Sequence, residues 1–263
     1  MNLRYFLKGS FTLALALLTV SAWAEHDELN PNILEVKPGD TVKVSRIPDN
    51  IFLRTQNDPD DIIWNRLPTY RSYLLAAPPV HQSVNLRFSE GANQGKHIYF
   101  QVGRTSERLY LRLRWKDATE NRATTVDEFT DGVAVQYALK GEDTSYMMGT
   151  GADKPVNIWY WTAHQDKVEN LAAGGFGSTT LLEQQTVTGS SLYVPKRVAL
   201  DNEWNVVMSR PYKASDKYDV NFERDTVPMA FAVWQGNDKE RDGNKRITHT
   251  WLLLDASLDS KTK

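Results

Sequence analysis

The sequence predicts a mainly all-β protein, built as one antiparallel β-sandwich with long loops and a few short helices. Three observations lead to this prediction. Apolar residues alternate with polar ones in short segments, turn-forming residues separate these segments, and sustained helical periodicity is missing. The eight Trp, eleven Tyr and nine Phe suit a β-rich core or the walls of a site for a flat ligand.

Residues 1–24 have the composition of a secretory signal peptide. Two basic residues precede a short apolar core at residues 11–20, and the sequence AWA at Ala22–Ala24 is an A-x-A cleavage signal. The apolar core is shorter than the ~20 residues that span a bilayer, and no second stretch of that length follows. We therefore expect cleavage after Ala24, no membrane span in a mature domain of residues 25–263, and export, which in a bacterium means the periplasm.

Cysteine usage and charge narrow the function classes. The chain has no cysteine, which excludes covalent CxxCH haem attachment, iron–sulfur ligation and disulfides. Any redox centre must then be held without covalent attachment, and a b-type haem meets that restriction. The formal net charge is −2 for the whole chain, so no excess of basic residues points to nucleic acid or an anionic membrane as partner.

The expected strands follow one another along the chain. Residues 109–115 alternate Leu and Trp with Tyr and Arg, and residues 131–139 repeat this period of two, which predicts one buried and one exposed face. Residues 227–234 are apolar on both faces, which is typical of a central strand. The full set of expected strands is 32–37, 41–46, 98–102, 109–115, 131–139, 156–161, 204–209, 227–234 and 247–254.

Between the strands, short helices are possible at residues 60–67 and 126–129. The connections at residues 140–155, 163–200 and 235–246 are longer than usual hairpin loops. Because binding residues concentrate on such loops, we expect these three to form the functional surface.

Met147 and Met148 lie in the first of these loops, directly before Gly149-Thr150-Gly151. A thioether is a soft metal ligand, and glycine lets the backbone approach a bulky group closely. In an extended conformation adjacent residues point to opposite sides, so only one methionine would face a given pocket. Spacing alone leaves open whether the pair binds a metal or fills a gap in the core.

Lys245 ends a polar loop that begins after Trp234. By composition it would be a solvated surface charge. As a metal ligand it would first lose its proton, at a cost of about 4–5 kcal/mol at neutral pH, unless burial lowered its pKa. His164 or His249 could instead complete a Met/His pair. The mature sequence contains no HExxH, GxSxG, Walker A or GxGxxG motif, so hydrolase and nucleotide-binding readings have no support.

Four sequence blocks, considered together, resemble a known family: DGVAVQYAL (131–139), MGTGADKPVNIWYW (148–161), EWNVVMSRP (203–211) and FAVWQGNDKERDGNK (231–245). The family is the haem-b-binding gamma subunit of periplasmic molybdenum oxidoreductases, namely dimethylsulfide dehydrogenase, ethylbenzene dehydrogenase, selenate reductase and chlorate reductase. The resemblance spans roughly residues 95–255.

The resemblance implies a β-sandwich whose loops hold one non-covalent haem b, with a methionine and a lysine as axial ligands. The family's methionine corresponds to Met148, with Met147 as the alternative. Its lysine corresponds to Lys245, with Lys239 as a weaker candidate. Pocket walls could come from Trp159, Trp161 and Trp234.

The resemblance also implies that the chain performs no catalysis itself. It would relay electrons between the iron–sulfur clusters of a beta subunit and an external carrier such as a c-type cytochrome, while an alpha subunit carries the molybdopterin. The alternative function is that of an exported β-sandwich that binds carbohydrate on exposed aromatic side chains and has no redox role.

Overall fold

The computed structural model describes residues 32–51, 55–80, 95–199 and 201–257, all within a single unit. The expected signal peptide and its cleavage site lie outside these residues. Within the described ranges, no helix is long and apolar enough to cross a membrane.

Strands make up most of the regular structure, together with two 3-10 helices at Ile62–Arg66 and Gly236–Asp238 in the described residues. Numbered in chain order, the strands are β1 Ile33–Glu35, β2 Thr41–Lys43, β3 Ser45–Arg46, β4 Thr69–Ala76, β5 Lys96–Arg104, β6 Arg108–Lys116, β7 Gly132–Ala138, β8 Val156–Thr162, β9 Lys167–Ala173, β10 Thr180–Leu181, β11 Thr188–Val194, β12 Glu203–Pro211, β13 Thr226–Trp234, β14 Arg246–Ile247 and β15 Leu252–Asp255.

Two sheets form the sandwich. Sheet A carries β4, β5, β6, β12 and β11 side by side, and sheet B carries β10, β9, β8, β7 and β13. These neighbours are antiparallel, whereas β1, β2 and β3 add short parallel pairings at the edges. The strand β14 pairs with both β13 and β4, so the sheets are continuous at that corner. The predicted all-β antiparallel sandwich is confirmed.

The main core lies between the two sheets, and its members follow the period of two along each strand. On β13, Met229, Phe231 and Val233 belong to this core, whereas Ala230 and Ala232 belong to a second apolar cluster on the other face of sheet B. This explains why the strand is apolar on both sides. Its predicted central position is confirmed, because β7 flanks it on one side and β14 and β15 on the other.

Two sequence predictions about strands need correction. Residues 247–254 are not one strand but end β14 and begin β15, because Thr248 folds out of the ladder. Its backbone N–H donates to Phe231 O at 3.1 Å, and its hydroxyl accepts from Phe231 N at 2.9 Å. The supposed loop at residues 163–200 contains β9, β10 and β11. Small and polar residues in β11 (TGSSLYV) hide its period of two.

Two short helices were predicted, and the outcomes differ. The segment at 60–67 contains the 3-10 helix Ile62–Arg66, whose first turn is capped by the Asp61 carboxylate accepting from Ile63 N at 2.9 Å. The segment at 126–129 is a bend without a helix. There the Thr125 hydroxyl accepts from Glu128 N at 3.1 Å, which satisfies the local donor without a helical turn.

Candidate functional site

A cavity of about 380 Å³ lies on the face of sheet B that points away from the main core. Small side chains on neighbouring strands make this space. The floor residues come from alternate positions of β7, β8 and β13, namely Ala134, Gln136, Ile158, Tyr160, Ala230, Ala232 and Trp234. A pocket of this size with mainly apolar walls is typical of a site for a small molecule or a cofactor.

Three loops complete the walls of the cavity. The segment 140–155, called the methionine loop below, contributes Tyr146, Met147 and Met148. It is tied to the floor because the Gln136 side-chain amide donates to Tyr146 O. Phe176, in a glycine-rich turn after β9, lines another side and is 43% exposed. The loop before β14 contributes the last wall.

The backbone at Met148 turns sharply. Its φ is +69°, in the left-handed region that residues with a side chain rarely adopt. Gly175 N donates to Met148 O at 2.7 Å, and Gly149 N donates to Ser145 O at 2.9 Å, so both sides of the turn are held by hydrogen bonds. As a result Met147 and Met148 both line the cavity. The expectation that only one of them would face it was wrong, because it assumed an extended chain.

Lys245 also borders the cavity. Its Nζ lies 4.7 Å from the centre of the Trp234 ring, and its backbone O accepts from Ala77 N at 2.8 Å. Within the described part of the chain, this Nζ has no hydrogen bond or ion pair. Loss of contact with water lowers the pKa of Lys245 to about 8, and the carboxylate of Asp242 opposes this only in part. Lys245 is therefore not a solvated surface lysine.

The three tryptophans predicted as pocket walls divide between two places. Trp234 lines the cavity, and its indole N–H donates to Asp242 O at 3.1 Å. Trp159 and Trp161 do not line it, because they occupy the alternate positions of β8 and point into the main core between the sheets. That prediction is corrected: on β8 the residues that face the cavity are Ile158 and Tyr160.

The alternative ligand candidates do not line the cavity. Lys239 is exposed and ends the 3-10 helix Gly236–Asp238 in a left-handed conformation. His164 is exposed, and its Nδ1 is 3.1 Å from Arg122 O. His249 is also exposed, with its Nε2 3.0 Å from Ala76 O. Met147, Met148 and Lys245 are thus the ligand candidates that meet at one cavity.

The sequence reasoning missed the alanines that open the cavity. Ala230 and Ala232 alternate with large residues along β13, and Ala134 takes the equivalent place on β7, directly paired with Ala232. A small residue at every second position of a central strand was the available signal. A weaker signal was the aromatic side chain of Phe176 between Gly175 and Gly177, because glycine on both sides lets the turn adopt backbone conformations that other residues disfavour.

The donor set determines which group the cavity suits. Among the described residues, no cluster of three or more His, Cys, Asp or Glu could hold a free metal ion. The cavity instead offers two thioethers and an amine that is easily deprotonated, between apolar walls. Soft sulfur and neutral nitrogen donors are suited to the iron of a flat, apolar porphyrin. The chemistry of the residues at this cavity therefore suits a haem.

Comparisons with known proteins identify relatives of this chain. The sequence profile described as ethylbenzene dehydrogenase matches residues 61–196. The chain is 49% identical over 235 residues to the dimethylsulfide dehydrogenase subunit gamma of Rhodovulum sulfidophilum, covering 89% of this chain and 88% of that protein. It is 33% identical to the chlorate reductase subunit gamma of Ideonella dechloratans, covering 74% and 78%.

A third relative, from Haloferax mediterranei, is named as a respiratory nitrate reductase heme subunit; it is 30% identical, covering 84% of this chain and 75% of that protein. Among solved structures, a family 9 carbohydrate-binding module from Caldicellulosiruptor kristjanssonii has a TM-score of 0.41 at 10% identity, covering 85% of this chain and 100% of that one. Every tryptophan in the described residues is buried, whereas the aromatic side chains of Tyr73 and Phe176 are 48% and 43% exposed.

Proposed function

Because the chain belongs to the ethylbenzene dehydrogenase family of gamma subunits, we propose that it is the electron-transfer subunit of a periplasmic molybdenum oxidoreductase and holds one haem b non-covalently. The observation that carries the proposal is that Met147, Met148 and Lys245 line the same apolar cavity. The amine of Lys245 has a lowered pKa and no hydrogen-bond partner among the described residues.

In this role the haem supplies a one-electron redox couple. The thioether of Met148, or of Met147 as the alternative, favours the ferrous state, whereas the neutral amine of Lys245 is the stronger electron donor. With a methionine and Lys245 both bound, the iron would have no open position for oxygen or peroxide. The apolar side chains of Ile158 and Ala232, which line the cavity, would keep water from a haem bound there. No residue of the chain then has a part in substrate chemistry.

Lys245 is prepared for ligation by its surroundings. An ordinary lysine would lose its proton at a cost of about 4–5 kcal/mol at neutral pH. With a pKa of about 8, most of that cost has already been met by the folding of the protein around the side chain. Trp234 beneath the amine and the hydrogen bond from Ala77 to the Lys245 backbone keep it directed at the cavity.

The partners follow from the same family. We propose that the chain docks with a molybdopterin-containing alpha subunit and an iron–sulfur beta subunit, and passes electrons between the beta subunit and a c-type cytochrome. This requires export and cleavage after Ala24. The names of the three relatives, two gamma subunits and one haem subunit, support this assignment.

The test is ultraviolet–visible and electron paramagnetic resonance spectroscopy of the chain purified from the periplasm of a haem-supplied host. Wild type should show a Soret band and a low-spin, six-coordinate ferric signal. Met148→Ala and Lys245→Ala should each convert part or all of it to a high-spin signal. Lys239→Ala, a change of an exposed lysine in the same loop, is the matched control and should leave the spectrum unchanged.

Other results would decide against parts of the proposal. A colourless wild-type protein would reject the haem. Unchanged spectra in both Met148→Ala and Lys245→Ala would reject the ligand pair. If Met147→Ala disturbs the spectrum and Met148→Ala does not, Met147 is the sulfur ligand.

A further inference from the structure

Two adjacent basic residues, Lys245 and Arg246, meet at the start of β14, which is only two residues long. Adjacent positions on a strand point to opposite faces, so only one of the two side chains can enter the cavity. Lys245 and Ile247 line it, and Arg246 points to the other side of the sheet. A shift of one residue would exchange them.

The backbone pairing of β14 is a weak guide to this choice. Its two residues pair with Ala232 and Val233 on one side and with Leu75 and Ala76 on the other. The register of a strand is strongly specified when one of its faces is apolar and the other polar. Here the two side chains that compete for the cavity, Lys245 and Arg246, are both long and cationic, so polarity does not distinguish them. The choice must come from what surrounds Arg246.

Arg246 is 1% exposed, and carboxylates surround its guanidinium. Its Nη1 pairs with Glu240 Oε1, both side chains being 2% exposed, and its Nη2 lies 3.5 Å from Asp238 Oδ2. Asp238 in turn pairs with Lys96 Nζ at 2.6 Å, so this carboxylate is shared between two cations. Among these, Glu240 is the buried carboxylate.

Glu240 uses both of its oxygens across the loop. While Oε1 holds Arg246 at the end of the loop, Oε2 accepts from Gln235 N at 2.8 Å at the beginning. One carboxylate therefore joins the last residue before the 3-10 helix Gly236–Asp238 to the first residue of β14. This contact fixes the position of Arg246 relative to Gln235 and leaves the side chain of Lys245 on the cavity side.

The chemistry of the two side chains makes the choice consequential. A guanidinium remains charged inside proteins and has no free nitrogen lone pair to offer, so Arg246 in the cavity could not bind iron. A buried guanidinium without its carboxylate is also strongly unfavourable. The ion pair with Glu240 thus stabilises the register of β14 in which the amine of Lys245, and not the guanidinium of Arg246, reaches the cavity.

We propose that Glu240 is a positioning residue that fixes the register of β14, so that Lys245 and not Arg246 faces the cavity. The significance for ligation rests on the proposed haem function. The register itself is a property of the protein chain without haem, and it can be measured without it.

The test compares Glu240→Gln with wild type in the full exported chain. Glutamine keeps the size and the oxygen that accepts from Gln235 N, but it removes the charge that holds Arg246. The first readout is hydrogen exchange of the Ala77 amide in haem-free protein, because that amide donates to Lys245 O. The second is the low-spin fraction of the haem signal in haem-loaded protein.

The matched control is Asp219→Asn, which breaks another buried ion pair, that of Asp219 with Arg210 at 3.5 Å, away from the cavity. We expect the Ala77 amide to exchange at least about tenfold faster in Glu240→Gln, while it keeps its wild-type protection in Asp219→Asn. The low-spin fraction should fall only in Glu240→Gln. Replacing both partners, Glu240→Gln with Arg246→Met, should restore both readouts, because no buried charge then competes for the site.

Three results would overturn the proposal: unchanged Ala77 exchange in Glu240→Gln, equal losses in Glu240→Gln and Asp219→Asn, or no recovery in the double variant. A change in Ala77 exchange together with a wild-type protein that binds no haem would support the positioning role and reject the haem function. The two conclusions can therefore fail separately.

Discussion

At the scale of single residues, alanine matters as much to this site as the ligand candidates. Ala232 on β13 and its cross-strand partner Ala134 on β7 leave the space above sheet B that larger side chains would fill. A buried alanine costs the core some apolar contact. The pairing of two alanines in the middle of sheet B is what leaves the cavity open above it.

Filling this space should prevent binding and spare the fold. We expect Ala232→Leu to weaken haem binding at least about tenfold, equivalent to ~1.4 kcal/mol. The free energy of unfolding should change by less than about 1.5 kcal/mol, because the longer side chain projects into the cavity and not into packed core. Haem titration and urea unfolding measure the two effects.

The control for this change is Ala118→Leu, the same substitution at an exposed position after β6. It should leave haem affinity as in wild type. Wild-type affinity in Ala232→Leu would mean that the haem does not lie against β13.

At the scale of elements, the methionine loop depends on backbone conformations that few residues can adopt. Gly149 has φ +87°, and a Cβ added there would lie 2.7 Å from Lys154 O and 3.1 Å from Ala173 O. Gly151 has φ +66° but would meet nothing within 4 Å. The two glycines therefore separate the cost of a left-handed backbone from the cost of a steric clash.

Alanine at these positions should have unequal effects. We expect Gly151→Ala to lower the free energy of unfolding by about 1–2 kcal/mol, the cost of the left-handed conformation. Gly149→Ala should lower it by about 2–4 kcal/mol, because overpacking adds to that cost. Urea unfolding of the haem-free variants measures both.

Haem affinity should follow the same order, since Gly149 directly succeeds Met148. Equal losses of stability in the two variants would contradict the close approach of Gly149 to the neighbouring backbone.

At the scale of the whole molecule, a buried carboxyl pair joins the two sheets. Asp131 directly precedes β7 of sheet B. Its Oδ2 accepts a hydrogen bond from the indole N–H of Trp204, on β12 of sheet A, at 2.9 Å. Its Oδ1 accepts from Gly236 N at 2.8 Å. Burial, and then the nearby charge of Asp131, raises the pKa of Asp117 from 3.8 to about 7. Near neutral pH the Asp117 carboxyl is therefore partly protonated in the folded protein.

The sign of the resulting pH dependence follows from linkage. Between about pH 4 and pH 7 folded Asp117 is protonated more than in the unfolded chain, so its contribution to stability falls as pH rises through that window. Asp117→Asn removes this dependence. We expect its melting temperature to exceed that of wild type at pH 8, and the difference to shrink as the pH is lowered to 5.

Scanning calorimetry at several pH values measures this effect. Asp201→Asn changes a carboxylate with an exposed side chain and is the control; its difference from wild type should vary little with pH. A difference for Asp117→Asn that stays constant from pH 5 to pH 8 would contradict the raised pKa.

Much of the molecule could be predicted from its sequence. The period of two located β6, β7, β8, β12 and β13 to within a residue or two, and the double apolar face of β13 correctly placed it at the centre of a sheet. The interior strand β4 and the edge strand β11 were missed. In β11 the Thr, Gly and Ser residues face a less demanding environment than those of a central strand.

The sequence by itself determined the class of fold, the family, and a short set of candidate ligands, because alternation and local motifs are properties of neighbouring residues. Only the tertiary structure decided which face of each strand meets the core. It directed Trp159 and Trp161 into the sandwich and left Trp234 at the cavity. The alternation of a strand specifies that adjacent side chains point to opposite faces. Which of the two faces becomes buried depends on strands far away in the chain.

The same holds for the chemistry of Lys245. Its pKa depends on the protein that surrounds it, including Trp234, Ala77 and the floor of sheet B, and none of these contacts can be read from the residues next to it. Desolvation is a property of three-dimensional packing. A lysine that composition assigns to the surface becomes a candidate ligand only when the folded chain half-buries it and lowers its pKa.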